Sequence, residues 1–204
     1  MHYDDLDADK PTAQLQRRIP IRFRSDPWSG FDATGDRAKA KVSCQKWAAS
    51  VAAGHPSSLW LVGLPGRGKT QMAYWTALEL AKSGTQVVAH EASVLVTRLR
   101  ESYAADGNHV RRALDEAIAD ACAADVLLLD DLGSELASAT ADDVRALLYR
   151  LVNTRWEHNR PTIITSNATT EQLAALGLDQ RIVSRLSSYF TVTVSGPDFR
   201  SVRK

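Results

Sequence analysis

Residues 63–70 read GLPGRGKT, and no other stretch narrows the range of possible folds as far. Gly63, Gly66 and Gly68 stand where a backbone must curl around phosphate with successive N–H groups turned toward the anion. The loop follows a short apolar run, SLWLV at 58–62, and precedes a helical pattern, TQMAYWTALELAKSG, that Gly84 closes. Strand, glycine loop and helix in that order bring a phosphate to a helix N-terminus, where unpaired N–H groups favour negative charge. Lys69 adds charge toward the β- and γ-phosphates, and Thr70 offers a hydroxyl to Mg²⁺, a hard cation that takes oxygen ligands. The expected nucleotide contacts are Gly63, Leu64, Pro65, Gly66, Arg67, Gly68, Lys69, Thr70 and Gln71, with ATP and Mg²⁺ as cofactors. The alternative is a glycine-rich turn that merely joins strand to helix.

A second apolar run, VLLLDD at 126–131, ends in paired carboxylates. In an α/β sheet such strand ends open into the ligand crevice. Asp130 is expected to hold Mg²⁺ through its water shell, and Asp131 to orient or polarise the attacking water. A solvated strand end is the competing reading. Thr165, Ser166 and Asn167 close another apolar run, PTIITSN. There the Asn167 amide either hydrogen-bonds the γ-phosphate or lytic water, or caps the next turn. Arg181 and Arg185 fall four apart in QRIVSRL, on one helix face. They present a guanidinium to another subunit's phosphate, or they form a solvated stripe.

Five strand patterns, at 58–62, 85–91, 126–131, 161–167 and 189–194, alternate with helical ones. The helices run from Asp36 to a stop at Gly54 and Pro56, then after the loop to Gly84, and over 93–104, 108–123, 140–158, 170–176 and 179–187. Thr140 is placed to cap the helix at 140–158. Parallel neighbours need crossovers and helices are the usual crossover, so the pattern predicts a parallel sheet with helices on both faces. Residues 1–36 lack sustained periodicity and read as an extended arm, with 37–204 as the nucleotide-binding domain. Ile19, Ile21, Phe23, Trp28 and Phe31 either strap the arm to that domain or bind a partner.

Bulk properties exclude several classes. With 204 residues, 44% of them hydrophobic, the chain suits one cored domain plus an extension. No apolar run nears the ~20 residues needed to span a bilayer, and MHYDDLDADK is no signal sequence. A cytoplasmic protein without membrane contact is expected. Cys44 and Cys122 lie far apart, and five scattered histidines show no ligand spacing, so no transition metal is expected. A net charge of +1 argues against a surface that attracts nucleic acid everywhere, and leaves room for a local basic patch.

In sequence order, GLPGRGKT, LLLDDLG (127–133), TIITSN (162–167), RIVSRL (181–186) and the terminal GPDFRSVRK resemble the AAA+ ATPases of the DnaC/DnaI helicase-loader type, which are similar in turn to IstB transposition helpers. The resemblance covers about residues 20–204. It implies a RecA-like AAA+ P-loop NTPase fold with a five-stranded sheet in the order 5-1-4-3-2 and no C-terminal lid domain. It implies that Asn167 is the sensor-1 residue, Arg185 an arginine finger acting in trans with Arg181 in support, and Arg200 a sensor-2-like contact. It further implies ATP hydrolysis, ATP-dependent self-assembly, a DnaB-type replicative helicase as partner, and single-stranded DNA held near Arg98, Arg100, Arg111 and Arg112. Glu101, Asp106, Asp115 and Glu116 balance those arginines, so an ordinary charged helix surface is the other reading. Two departures stand out: Asp131 replaces the glutamate of many AAA+ enzymes, and fewer than about 40 residues precede the ATPase where loaders carry a helicase-gripping domain. The arm, through Leu6, Leu15, Ile19 and Phe23, is expected to replace that domain in part. A duplex-coating transposition helper and a nucleotide-binding helicase adaptor or inhibitor remain as alternatives.

Overall fold

A computed structural model describes residues 11–24, 28, 34–103, 108–133, 136 and 141–198. Strands β1 (Leu59–Val62), β2 (Val87–Glu91), β3 (Val126–Leu132), β4 (Thr162–Ser166) and β5 (Phe190–Thr193) form one sheet. The order is β2-β3-β4-β1-β5, the expected 5-1-4-3-2 read from the opposite edge. Every pairing is parallel. The helices are α1 (Pro11–Arg18), α2 (Gly35–Ala52), α3 (Lys69–Lys82), α4 (Ala92–Glu101), α5 (Asn108–Ala123), α6 (Ala141–Glu157), α7 (Thr170–Ala175) and α8 (Gln180–Leu186).

Alternation along the strands divides the core in two. Leu59, Leu61, Val126, Leu128 and Ile163 pack under α1, α2 and α3. Trp60, Leu127, Leu129 and Ile164 point the other way, against α4 to α8. Strands buried on both faces must be apolar at successive positions, which is why LWLV, VLLL and TIIT read as continuous runs. No described helix is long and apolar enough to cross a membrane. Cys44 is buried, which pushes its thiol up to about 12, and Cys122 is half-buried; both are free thiols.

One residue staples the sheet's lower end. Arg155 of α6 is fully buried. Its guanidinium donates to the carbonyls of Ala121 (2.7 Å), Ala124 (2.8 Å), Asp125 (3.2 Å) and Pro161 (2.6 Å), and to Thr162 Oγ1 (3.0 Å). Carbonyls at the end of α5 and before β3 and β4 therefore share one cation, and that of Pro161 also accepts from Leu127 N at 3.2 Å. Burial pushes Arg155 down to about 10, still cationic at neutral pH.

The amino-terminal segment departs from the extended arm expected for it. Pro11–Arg18 is helical, with proline at the first helical position, where no N–H is needed, and Arg17 and Arg18 in the last turn. Its eight residues are too few to show a sustained helical repeat in the sequence. Leu15 and Ile19 are buried in the core on α3, Phe23 stacks on Tyr74 at 5.7 Å, and Trp28 meets Trp75 edge-on at 5.2 Å. The segment thus straps the domain, and Leu15 and Ile19 are not surface contacts for a partner. Ile21, expected in the strap, is 81% exposed. Leu6, Phe31 and Thr140 lie outside the described residues.

Candidate active site

Sheet order makes the site. β1 lies beside β4, and β4 beside β3, so the loop leaving β1 rises next to the carboxyl ends of both. Gly63 passes so close to β5 that a Cβ there would collide with the Val194 carbonyl oxygen. Gly68 turns at φ +94°, a left-handed conformation glycine adopts without strain, and opens α3. Gly63 to Gln71 thus occupy one loop and the first turn of the helix, as expected.

Lys69 is buried, yet its ammonium is satisfied: it donates to Gly63 O (2.7 Å), Leu64 O (3.0 Å) and Asn167 Oδ1 (2.6 Å). Thr70 Oγ1 donates to Asp130 Oδ1 at 3.0 Å, and Thr165 Oγ1 donates to the same oxygen at 2.6 Å. Asp130 is a buried carboxylate whose hydrogen-bond partners are two hydroxyls. Burial raises its pKa above the ordinary value; the two hydroxyls oppose this, and Asp131 and Glu91 add to it. A hard divalent cation fits such a group, since it would supply the missing positive charge, with Thr70 and Asp130 as oxygen donors.

Asp131 owes its direction to a bulge. Leu129 pairs with Ile164 and Leu132 with Ser166, so β3 carries one residue more than β4 over this interval. Asp131 sits there at φ +57°, a conformation that costs most non-glycine residues about 1–2 kcal/mol and that aspartate tolerates better than most. Consecutive residues of a regular strand face opposite sides. The extra residue instead brings Asp131 within reach of Asn167, whose Nδ2 donates to Asp131 Oδ1 at 2.9 Å. Asp131 N donates to Thr165 Oγ1 at 2.8 Å, closing a ring through Asp130.

The structure thus joins Lys69, Thr70, Asp130, Asp131 and Asn167. It holds Arg181 and Arg185 elsewhere, on α8 against α6. Arg181 pairs in two-pronged fashion with Asp179 (3.0 and 2.7 Å), and its hydrogen bonds hold that carboxyl at about 2. Arg185 Nη2 donates to Asn153 Oδ1 at 2.6 Å. Arg98, Arg100, Arg111 and Arg112 are exposed on α4 and α5. Burial pushes His90 down to about 4, with Arg18 and Arg98 acting in the same sense. Arg200 lies outside the described residues.

Three contributors escaped the sequence reading. Thr165 bridges both acids, and only its position at the end of β4 hinted at this. Arg37 of α2 is buried, with Nη2 3.5 Å from where a Gly68 Cβ would stand. Asp198 lies against Gly66, whose Cβ would collide with the carboxylate. Nothing in the local sequence marks Arg37 or Asp198, because both reach the loop by tertiary packing alone.

A glycine loop after β1, flanked by acids from β3 and an amide from β4 in a β2-β3-β4-β1-β5 sheet, is the arrangement of a P-loop ATP-binding domain of the AAA+ class. Comparison with known families narrows this class. The chain belongs to the IstB-like ATP binding proteins, whose family description matches residues 41–191. No curated protein gives a sequence match. A crystal structure of DnaI superposes with a TM-score of 0.70 at 24% identity, covering 91% of this chain and 98% of that one. The DnaC helicase loader gives 0.68 at 21%, covering 86% and 100%. The replication initiator DnaA, bound to AMPPCP and single-stranded DNA, gives 0.66 at 19% and 83% of this chain. The chain spans about half the length of the replication-initiation structures it matches, 50% and 49%.

Proposed function

We propose that this protein is a switch-like ATPase that loads a DnaB-type hexameric helicase onto single-stranded DNA during replication. The observation that carries the chemistry is the Asn167 amide, tied to the phosphate-loop lysine on one side and to the water-orienting acid on the other. Lys69 neutralises the β- and γ-phosphates, Asp131 orients water, and Arg185 of one subunit completes the nucleotide site of the next. Thr70 and Asp130 would hold Mg²⁺, which supplies charge at the phosphates when bound. ATP then holds subunits in an array whose exposed arginines on α4 and α5, with Arg18 nearby, follow one strand of phosphates. Fold likeness to DnaI and to the DnaC helicase loader over nearly their whole solved chains supports the loader reading. Since Leu15 and Ile19 are buried, the helicase contact uses other residues.

The IstB-like family match favours a second reading, an ATP-dependent coat on duplex DNA that recruits a transposase. Helicase loading onto a closed single-stranded circle separates the two. With helicase from the same host, loading that requires this protein and ATP supports the first. If no loading and no helicase complex occur while ATP drives coating of duplex, the second replaces it.

A further inference from the structure

Arg185 is a long side chain near the surface, yet it is not left to sample rotamers. Nη2 donates to Asn153 Oδ1 at 2.6 Å and Nη1 to the Arg181 carbonyl at 2.9 Å. Its guanidinium carbon lies 4.8 Å from the centre of the Trp156 ring and 6.0 Å from that of Tyr149. Asn153 is itself held, because its Nδ2 donates to Glu157 Oε1 at 2.8 Å. A carboxylate accepts and a guanidinium donates, so this pair of neighbours permits one orientation of the amide, oxygen toward Arg185. Tyr149, Asn153, Trp156 and Glu157 recur at helical spacing along one face of α6. Trp156 is 55% exposed, so its ring is spent on the guanidinium more than on the core.

A guanidinium has five N–H donors. Two are used within the chain, and Nε is buried with no hydrogen-bond partner among the described residues. One N–H on each Nη remains to donate to phosphate oxygens. We propose that Asn153, oriented by Glu157, and the Trp156 ring are positioning residues that pre-set the Arg185 guanidinium for the nucleotide of a second copy of this chain. The inference rests on the shared-site reading above. Holding the arginine before the subunits meet removes the loss of rotamer freedom that would otherwise accompany assembly, and fixes the angle at which it reaches the phosphate.

The test is complementation between full-length chains, read as ATP turnover at constant total protein. Asn153→Leu should lower turnover by about tenfold to a hundredfold, because the guanidinium is no longer aimed. ATP affinity of the dilute chain and its melting temperature should stay unchanged. Mixing with Lys69→Ala, which binds no nucleotide but offers a correctly held Arg185, should restore turnover. The double variant Lys69→Ala/Asn153→Leu should restore none. Glu157→Ala, at an exposed position, should show a smaller loss with the same rescue, and Trp156→Phe should retain more turnover than Trp156→Ala. A purely structural role would lower melting temperature and ATP affinity and would not be rescued in trans. Arg185→Ala mixed with Lys69→Ala is the control for the shared site. If that pair complements while Asn153→Leu and Trp156→Ala are fully active, the positioning role is overturned and the shared site stands. If that pair fails to complement, the shared site and this inference fall together.

Discussion

Lys69 Nζ and Asn167 Oδ1 lie 2.6 Å apart across 98 residues of sequence, and the other end of the same amide reaches Asp131 Oδ1 at 2.9 Å. One neutral side chain therefore spans a cation and an anion. Its orientation is unambiguous, because the ammonium can only donate and the carboxylate can only accept. On the function proposed above, a γ-phosphate near Lys69 would compete for the ammonium, and the Asn167–Asp131 contact would pass nucleotide state to the acid that orients water.

Removing that bridge should separate binding from turnover. Asn167→Ala is expected to lower hydrolysis by ~10²–10³, the range seen when one pre-aimed donor is lost from an active site. Affinity for ATP should change little, since the loop amides and Lys69 remain. Equilibrium binding of a fluorescent ATP analogue beside steady-state phosphate release checks this. Equal loss of both would assign Asn167 to ground-state binding. Lys69→Ala, by contrast, should abolish tight binding, and Asp131→Asn should keep ATP bound while hydrolysis fails.

Asp130 predicts an opposed effect on stability and on metal binding. Burial raises its pKa in the folded state, so the folded chain prefers the protonated form. That contribution is complete below the ordinary carboxylate pKa and is lost as pH rises through the raised one. At neutral pH the ionised group costs stability. Asp130→Asn should therefore raise the melting temperature of the nucleotide-free protein at neutral pH, with the gain shrinking in acid. The same variant should lose the additional stabilisation that Mg-ATP gives the wild type. Thermal melts across pH, with and without Mg-ATP, read both. A lower melting temperature at neutral pH would show that the charge is better compensated than its two hydroxyl partners suggest.

Arg155 should matter for folding and not for chemistry. Replacing it with Met keeps much of the volume but removes the donor it supplies to the carbonyls of buried Ala121 and Ala124 and to Thr162, at ~1–3 kcal/mol each before water or relaxation offsets part of the loss. A net cost of about 3–5 kcal/mol is expected in urea unfolding. The staple sits where β3 and β4 begin, and Asp131 and Asn167 where they end, so turnover per folded molecule should be unchanged. A normal urea midpoint would contradict the staple.

Leu15 tests the role of the amino-terminal helix. Leu15→Ala should destabilise by about 2–5 kcal/mol, as for other fully buried leucines. Deleting residues 1–18 should lower the melting temperature further and loosen α3, which carries Lys69 and Thr70. Weaker helicase binding by that truncation would then reflect stability as well as contact. An unchanged melting temperature would return α1 to the role of a free arm.

Local chemistry wrote much of this protein into its sequence. GLPGRGKT needed no tertiary context, because the spacing of glycines, lysine and hydroxyl is itself the requirement for wrapping a phosphate. Strands buried on both faces leave continuous apolar runs, and helices between them dictate parallel crossovers, so sheet class and the ends of β3 and β4 were legible. Sheet order came from resemblance, as strand adjacency leaves no local mark. Other features were settled only when distant segments met. Asp131 faces Asn167 because an extra residue in β3 turns it to positive φ, and such a bulge exists only relative to its partner strand. α1 is too short to be a stable helix by itself and is held by the core it covers. Nothing in the local sequence marks Arg155, since the carbonyls it serves come from α5 and from the segments leading into β3 and β4. Arg37 and Asp198 meet the loop from segments far away in the chain, a proximity that packing decides and no motif records.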